Sequence, residues 1–336
     1  MKYFLFILSV LFLSNSLSAQ IDTIITKEGN ILSGEIKDLE RGVLKIETEY
    51  SDKDFEIEWK GLEQIKTQSD FLITIADGRR LNGKLESNSA GNVLIKSDNK
   101  VIGITKMDEI VFLQSIDKNF GSRFSASIDF SFSVTKAQEL RQFNLRGTLK
   151  YQAERWSTSV SYNRLRSSQT ETEALDRSDG NITYQYFLQN DYYYLTQVDL
   201  LSNDEQKLDL RTTGKLGVGK YLVHTNQINF GFAAGLNFNN EQFSDENPDR
   251  NSLEGFVGTE LNMFDLGDLN LLTRVVAYPS LTESGRFRSD LVFDAKYDLP
   301  LDFYVKLGLT LNYDNQPVSG ASETDYIFQS GIGWEW

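Results

Sequence analysis

The feature that most constrains this chain is a strict alternation that recurs in segment after segment of its last two thirds. Phe303, Val305, Leu307, Leu309 and Leu311 oppose Tyr304, Lys306, Gly308, Thr310 and Asn312, and Ile228, Phe230, Phe232, Ala234, Leu236 and Phe238 oppose Asn229, Gly231, Ala233, Gly235 and Asn237. A period of two places one set on an apolar face and the other on a polar face of a strand. Such segments run at about 120–135, 140–153, 155–166, 180–190, 192–201, 206–222, 226–239, 253–264, 269–278, 286–298, 301–314 and 325–336. About ten alternating residues are what a tilted strand needs to cross a bilayer.

The connections sort by parity. Those after even-numbered segments are tight: Glu154-Arg155, Asp191, Val223 to Thr225, Asp265 to Asp268, and Leu299-Pro300. Those after odd-numbered segments are usually longer and polar, with Ser167 to Asp179 and Asn240 to Ser252 the longest. A soluble sandwich has no reason to sort its loops in this way, whereas short periplasmic turns alternating with longer external loops belong to outer-membrane barrels. The expected fold class is therefore all-β, a 12-stranded antiparallel transmembrane barrel over residues 120–336. An even strand count puts both of its ends in the periplasm. Trp156, Tyr192, Trp334 and Trp336 fall near the expected periplasmic turns and Tyr162 and Tyr313 near the external ones, as an aromatic girdle requires.

Both ends of the chain agree. The last eleven residues, YIFQSGIGWEW, resemble the C-terminal signal read by the barrel-assembly machinery, with Gln329, Gly331, Trp334 and Trp336 carrying the pattern. Residues 1–20 combine Lys2, an apolar run from Tyr3 to Leu13 and the small-residue end Ser18-Ala19, the layout of a secretory signal peptide. Lys2 is the only charged residue in this leader, so its removal takes the formal charge from -14 to -15. Cysteine is absent, which excludes a lipid-anchored cysteine, a disulfide framework and a thiolate metal site.

Residues 21–117 read as a separate tandem small-β domain, with copies at about 21–67 and 70–113. Gly29 and Gly34 match Gly78 and Gly83, Val43-Leu44 matches Val93-Leu94, and Trp59, Leu62 and Ile65 match Ile104, Met107 and Ile110. Glycine inside a strand pattern marks a bend or bulge, and the layout resembles SH3-like or Sm-like small barrels. Between residues 21 and 118 there are 14 Lys/Arg against 19 Asp/Glu, a poor phosphate neutraliser, so no nucleic-acid partner is expected. The reading is a periplasmic module that contacts an envelope partner.

Residues 205–243 carry a charged strand with Arg211, then GKLGVGKYL, a short turn, and NFGFAAGLNF followed by Glu241 and Phe243; the aromatic strands ITYQYFLQNDYYYLTQ precede them. In these motifs the region from about 120 to 336 resembles the YdiY-type family, labelled salt-induced outer-membrane proteins, whose barrel domain has unknown function. The resemblance implies a barrel and supplies no catalytic residues.

The charges expected on the lumen face include Asp129, Arg146, Lys150, Asp199, Arg211, Glu260, Arg274, Arg288, Asp290 and Lys306. Acids and bases interleave on neighbouring strands, so they are expected to pair across a bore of intermediate width. That favours a narrow or occluded lumen and a structural or adaptor role in the envelope; the alternative is a narrow channel for small solutes or ions. An outer-membrane hydrolase ranks below both, because the only histidine, His224, falls in a periplasmic turn and no nucleophile–base–orienter set is evident. No cofactor or metal is expected: Asp245, Glu246 and Asp249 crowd one loop but lack the spacing of a calcium loop.

Overall fold

The computed structural model describes residues 21–116, 123–135, 140–169, 175–204, 208–243, 248–318 and 322–334. The expected leader, residues 1–20, and Trp336 lie outside the described residues. The chain forms two antiparallel sheets, one of ten strands and one of twelve. No helix of the described residues is long and apolar enough to cross a membrane, a statement that concerns helical spans alone.

The first sheet is built from two copies of one five-strand unit. Copy one comprises β1 (Asp22–Thr26), β2 (Ile31–Glu40), β3 (Val43–Glu47), β4 (Phe55–Glu58) and β5 (Leu62–Lys66), with a 3-10 turn at Trp59–Gly61 before its last strand. Copy two repeats this as β6 (Phe71–Ile75), β7 (Arg80–Ser87), β8 (Asn92–Ser97), β9 (Lys100–Lys106) and β10 (Ile110–Ser115), with its 3-10 turn at Met107–Glu109. Each copy gives its last strand to the other: β5 pairs with β7, and β10 pairs with β2. The main apolar core lies here, with Ile24, Ile36, Leu44, Ile46, Phe71, Ile73, Leu85 and Ile95 among its buried residues. Asp22 is buried with them, and its carboxylate accepts backbone N–H groups from Gln68 at 2.7 Å and Ile36 at 3.1 Å, which pins the link between the copies.

One sequence match requires correction. By structure Trp59 corresponds to Met107, Leu62 to Ile110 and Ile65 to Leu113, three residues beyond the match read from the sequence. Apolar residues recur every third position through Ile104, Met107, Ile110 and Leu113, so a slip of three exchanges one apolar triplet for another. The longer β3–β4 connection in copy one hides the true offset.

The second sheet runs β11 (Phe124–Thr135), β12 (Leu140–Gln152), β13 (Trp156–Ser168), β14 (Leu175–Phe187), β15 (Tyr192–Asn203), β16 (Leu208–His224), β17 (Ile228–Phe243), β18 (Arg250–Leu266), β19 (Leu269–Pro279), β20 (Phe287–Asp298), β21 (Phe303–Asp314) and β22 (Thr324–Trp334), each paired with its chain neighbours. The strands between the longer loops exceed their expected bounds: β13 and β14 take up much of the stretch read as a loop at 167–179, and β17 and β18 much of that at 240–252. Polar loop-end residues keep the alternating pattern but lack the apolar partners by which a strand is recognised. Among the described residues β11 pairs only with β12 and β22 only with β21.

The two faces of this sheet differ sharply. Leu216, Val218, Phe232, Leu236, Phe238, Val257 and Leu307 are exposed on one face. On the other, Asn237, Asn239, Glu241, Ser252 and Glu254 are buried. The polar face is concave: Lys215 Nζ on β16 lies 5.4 Å from the Tyr278 ring on β19, although three strand spacings in a flat sheet amount to roughly 14 Å. The inner glycines make room for this curvature. A Cβ on Gly235 or Gly217 would overlap the Phe256 ring at 2.8 and 2.6 Å, and one on Gly219 would lie 2.1 Å from Tyr193.

Candidate functional site

Two constellations occupy opposite ends of the concave face. The first lies at the loop end. Arg286, in the β19–β20 connection, is almost wholly buried and makes three ion pairs: Glu283 at 2.6 Å, Asp314 at 2.7 Å and Glu241 at 3.4 Å. Glu241 also accepts Arg211 at 2.7 Å, and Glu254, with no exposed surface, is held by Arg288 at 2.6 Å and by Asn237 at 2.7 Å. Five strands and one loop thus send charged groups to one dry place. Arg286, outside the strands, is driven upward from its ordinary value: burial alone would lower it, but the hydrogen bonds to Asp314 and Glu283 and the charge of Glu241 outweigh burial.

The second constellation is at the turn end, where the N-terminal domain meets the sheet. The tip of the β6–β7 hairpin enters against β14 and its turn. Gly78, at φ 84°, approaches so closely that a Cβ would lie 2.4 Å from the Asp191 nitrogen. Arg80 stacks 4.0 Å above the Phe187 ring and donates to the Ala153 carbonyl at 3.3 Å, while Asn82 donates to Glu154 at 2.8 Å. Burial pushes the Arg80 guanidinium down to about 10, against the opposing pull of Tyr221 and Glu154. The β16–β17 turn answers with Asn226, which donates to the Ile110 carbonyl at 2.6 Å. The β2–β3 tip places Arg41 5.6 Å from the Phe264 ring near the end of β18, and Glu40 pairs with Lys150 at 3.6 Å. The docking therefore extends from β12 to β18 along one end of the sheet.

The residues singled out in the sequence fall as follows. Arg211 and Arg288 belong to the loop-end network. Arg274 pairs with Glu260 at 2.6 Å, and Asp199 with Lys215 at 3.3 Å. Asp290 accepts Asn312 at 2.8 Å. Asp129 and Arg146 stand directly opposite each other in the β11–β12 ladder. Lys150 meets the N-terminal domain, and Lys306 stands opposite Lys296 with its ammonium 4.6 Å from the Tyr304 ring. Arg288 takes Glu254 as its partner, a residue the sequence reading did not name; Arg286 was missed as well, and Glu241 was named only within the 205–243 motif and not among the inner charges. Their signal is weak because two sit at loop-end margins and Arg286 lies outside any alternating run. Of the terminal signal, Gln329 opposes Gly308, Gly331 opposes Lys306, and Trp334 Nε1 donates to the Leu301 carbonyl at 3.1 Å. His224 bonds through Nδ1 to Asp191 at 2.8 Å and stacks on Tyr221. Asp245 and Glu246 lie outside the described residues, and among the described residues no three His, Cys, Asp or Glu side chains converge on a metal position.

No curated protein matches the chain. Among solved structures, CdiB from Acinetobacter baumannii is similar over 94% of this chain and 58% of that one, with 9% sequence identity and a TM-score of 0.28, so the chain spans less than two thirds of that protein's length. Residues 128–336 match the family model described as "Protein of unknown function, DUF481". The chain therefore belongs to the DUF481 family, the YdiY-like outer-membrane β-barrel proteins of unknown function.

Proposed function

We propose that this protein is a structural or adaptor element of the bacterial outer membrane: a barrel with an occluded lumen, capped on its periplasmic side by residues 21–116. The observation that carries the reading is the docking of both hairpin tips, at Arg41 and at Gly78–Arg80, along the turn end of the sheet from β12 to β18. The exposed apolar outer face supports lipid as its surroundings, since so large an apolar surface on a folded domain needs a cover. Short turns on the capped side support a periplasmic position for the cap. The five strands and the 3-10 turn before the last strand of each copy support an SH3-like or Sm-like reading of the cap. His224 is engaged by Asp191 and Tyr221 within the junction, which favours a packing role over a catalytic one. Surfaces of the cap turned away from the barrel are available to an envelope partner.

Planar-bilayer recording of the full chain tests this. The wild-type protein is expected to pass no steady current. Gly78→Trp, which cannot keep the close approach to Asp191, is expected to admit a leak. A steady wild-type current that Gly78→Trp leaves unchanged would put the narrow-channel reading first.

A further inference from the structure

Two cavities flank the β2–β3 hairpin, and Arg41 lines both. One, of about 730 Å³, lies against the inner face of β18–β22. Its charged lining is Arg41, Lys296, Lys306 and Asp294. The other, of about 680 Å³, opens between the cap and the β16–β17 turn, and Lys27, Lys60 and Lys106 join Arg41 there against Glu58 and Asp108. Together they present six cations and three carboxylates, in a chain whose formal charge is -14.

Four features mark this as more than a chance surplus. Lys296 and Lys306 are direct cross-strand partners, and like charges in that relation destabilise a sheet. Both ammonium groups lie against one ring, Tyr304, at 4.8 and 4.6 Å. Lys296 pairs with Asp298 at 3.1 Å, whereas among the described residues neither Lys306 nor Arg41 has a carboxylate at ion-pairing distance. Finally, Arg41 and Gly42 form a two-residue hairpin turn with φ 55° and 76°. That turn favours Asn or Asp before Gly, and an arginine there bears a left-handed backbone that its own side chain does nothing to ease. The turn delivers a guanidinium to the partition between the cavities.

We propose that these cavities form a binding site for a small soluble solute bearing two or more negative charges, with Arg41 and Lys306 as the principal contacts and Arg41 against Phe264 dividing the inner part from the periplasmic part. The site lies between the cap and the inner face of the sheet, away from the apolar outer face, which favours a soluble anion over a membrane lipid headgroup. It goes beyond the occluded-barrel reading, because binding and conductance are measured separately and either can fail alone.

Calorimetric titration of the full chain in neutral detergent, with pyrophosphate and citrate as probes, provides the test. At least one probe is expected to bind saturably with a dissociation constant below 1 mM, more weakly as salt rises. Arg41→Asn suits the left-handed turn and keeps the fold while removing the charge, so it is expected to weaken binding tenfold or more, as is Lys306→Gln. Lys37→Gln, on the same hairpin but lining neither cavity and paired with Glu35 and Glu47, is expected to leave binding unchanged. Failure of both probes to bind, or equal binding by all three variants and the wild type, would overturn the assignment. So would an Arg41-dependent effect seen only in nanodiscs containing phosphatidylglycerol and absent with soluble anions, which would make the ligand a headgroup.

Discussion

Arg286 shows how strongly single charges are committed inside this molecule. Its side chain is 1% exposed and serves three carboxylates, from the β19–β20 connection, β21 and β17. Bringing such a group into a dry region is costly, and the cost is recovered only while each partner remains. Arg286→Met is therefore expected to strand Glu241 and to destabilise the protein by roughly 3–5 kcal/mol, read as a lower urea midpoint for loss of the heat-modifiable form. Arg286→Met with Glu241→Gln is expected to recover part of that loss; a double variant no better than the single would assign the loss to packing. Alternation sufficed to put Arg211 and Arg288 on the inner face. It could not reveal Arg286, whose position depends on a loop folding back over three elements, nor that Arg288 would take Glu254 rather than Asp290, two residues along its own strand. Parity identifies a face, whereas partner choice depends on curvature, which no single strand encodes.

At the scale of elements, β21 is the most legible part of the chain. Leu307 is exposed on the outer face, and Thr310 stands on the opposite parity. If lipid covers the outer face, Leu307→Arg costs roughly 2–4 kcal/mol at mid-depth, and Thr310→Arg far less. Equal unfolding midpoints for the two variants in lipid vesicles would mean that this face does not meet lipid. The cap's elements were harder to read, because a three-residue apolar rhythm concealed the 3-10 turn at Met107–Glu109. That turn is held by Glu109, which accepts the Lys106 backbone N–H at 3.0 Å and the Thr105 hydroxyl at 2.7 Å; these bonds, in that order, hold its carboxyl below the usual glutamate range. A depressed folded value stabilises above the unfolded value, about 4.5, and the contribution is lost as pH falls through the folded value. The Trp59 indole donates to the Met107 carbonyl at 2.7 Å, so its NMR signal is expected to shift as the turn loosens below about pH 4.5. Glu109→Gln should abolish that pH dependence, and an unchanged titration in this variant would assign it to another group.

The molecule as a whole is two sheets joined end to end, and their contact is the part that the sequence concealed. The docked tips consist of turn residues, Arg41-Gly42 and Gly78-Arg79-Arg80, which in isolation read as solvated hairpin ends; only the facing turns at Glu154, Asp191 and Asn226 give them another meaning. The twelve-stranded sheet leaves a different question at its margins. β11 and β22 each have one paired neighbour among the described residues, and Ile128, Phe130, Phe328 and Ile332 on them are more than 60% exposed. In hydrocarbon an edge of unpaired backbone groups costs several kcal/mol per group, so a spanning sheet must close on itself. The two margins run antiparallel, and closure must keep polar positions beside polar ones, because a slip of one residue reverses every side chain. Ser131, on the polar parity of β11, should therefore meet a polar-parity position of β22. The chain has no cysteine, so introduced pairs can be read without background. Ser131→Cys combined in turn with Gln329→Cys, Gly331→Cys and Gly333→Cys, and with Asp325→Cys at the loop end, is expected to give one strong intramolecular crosslink in membrane-inserted protein, since a disulfide forms only where Cα atoms approach within roughly 7 Å. Ser131→Cys combined with Phe328→Cys, on the apolar parity, is expected to give none. Crosslinking that ignores parity, or fails at every polar position, would mean that these strands do not close the sheet.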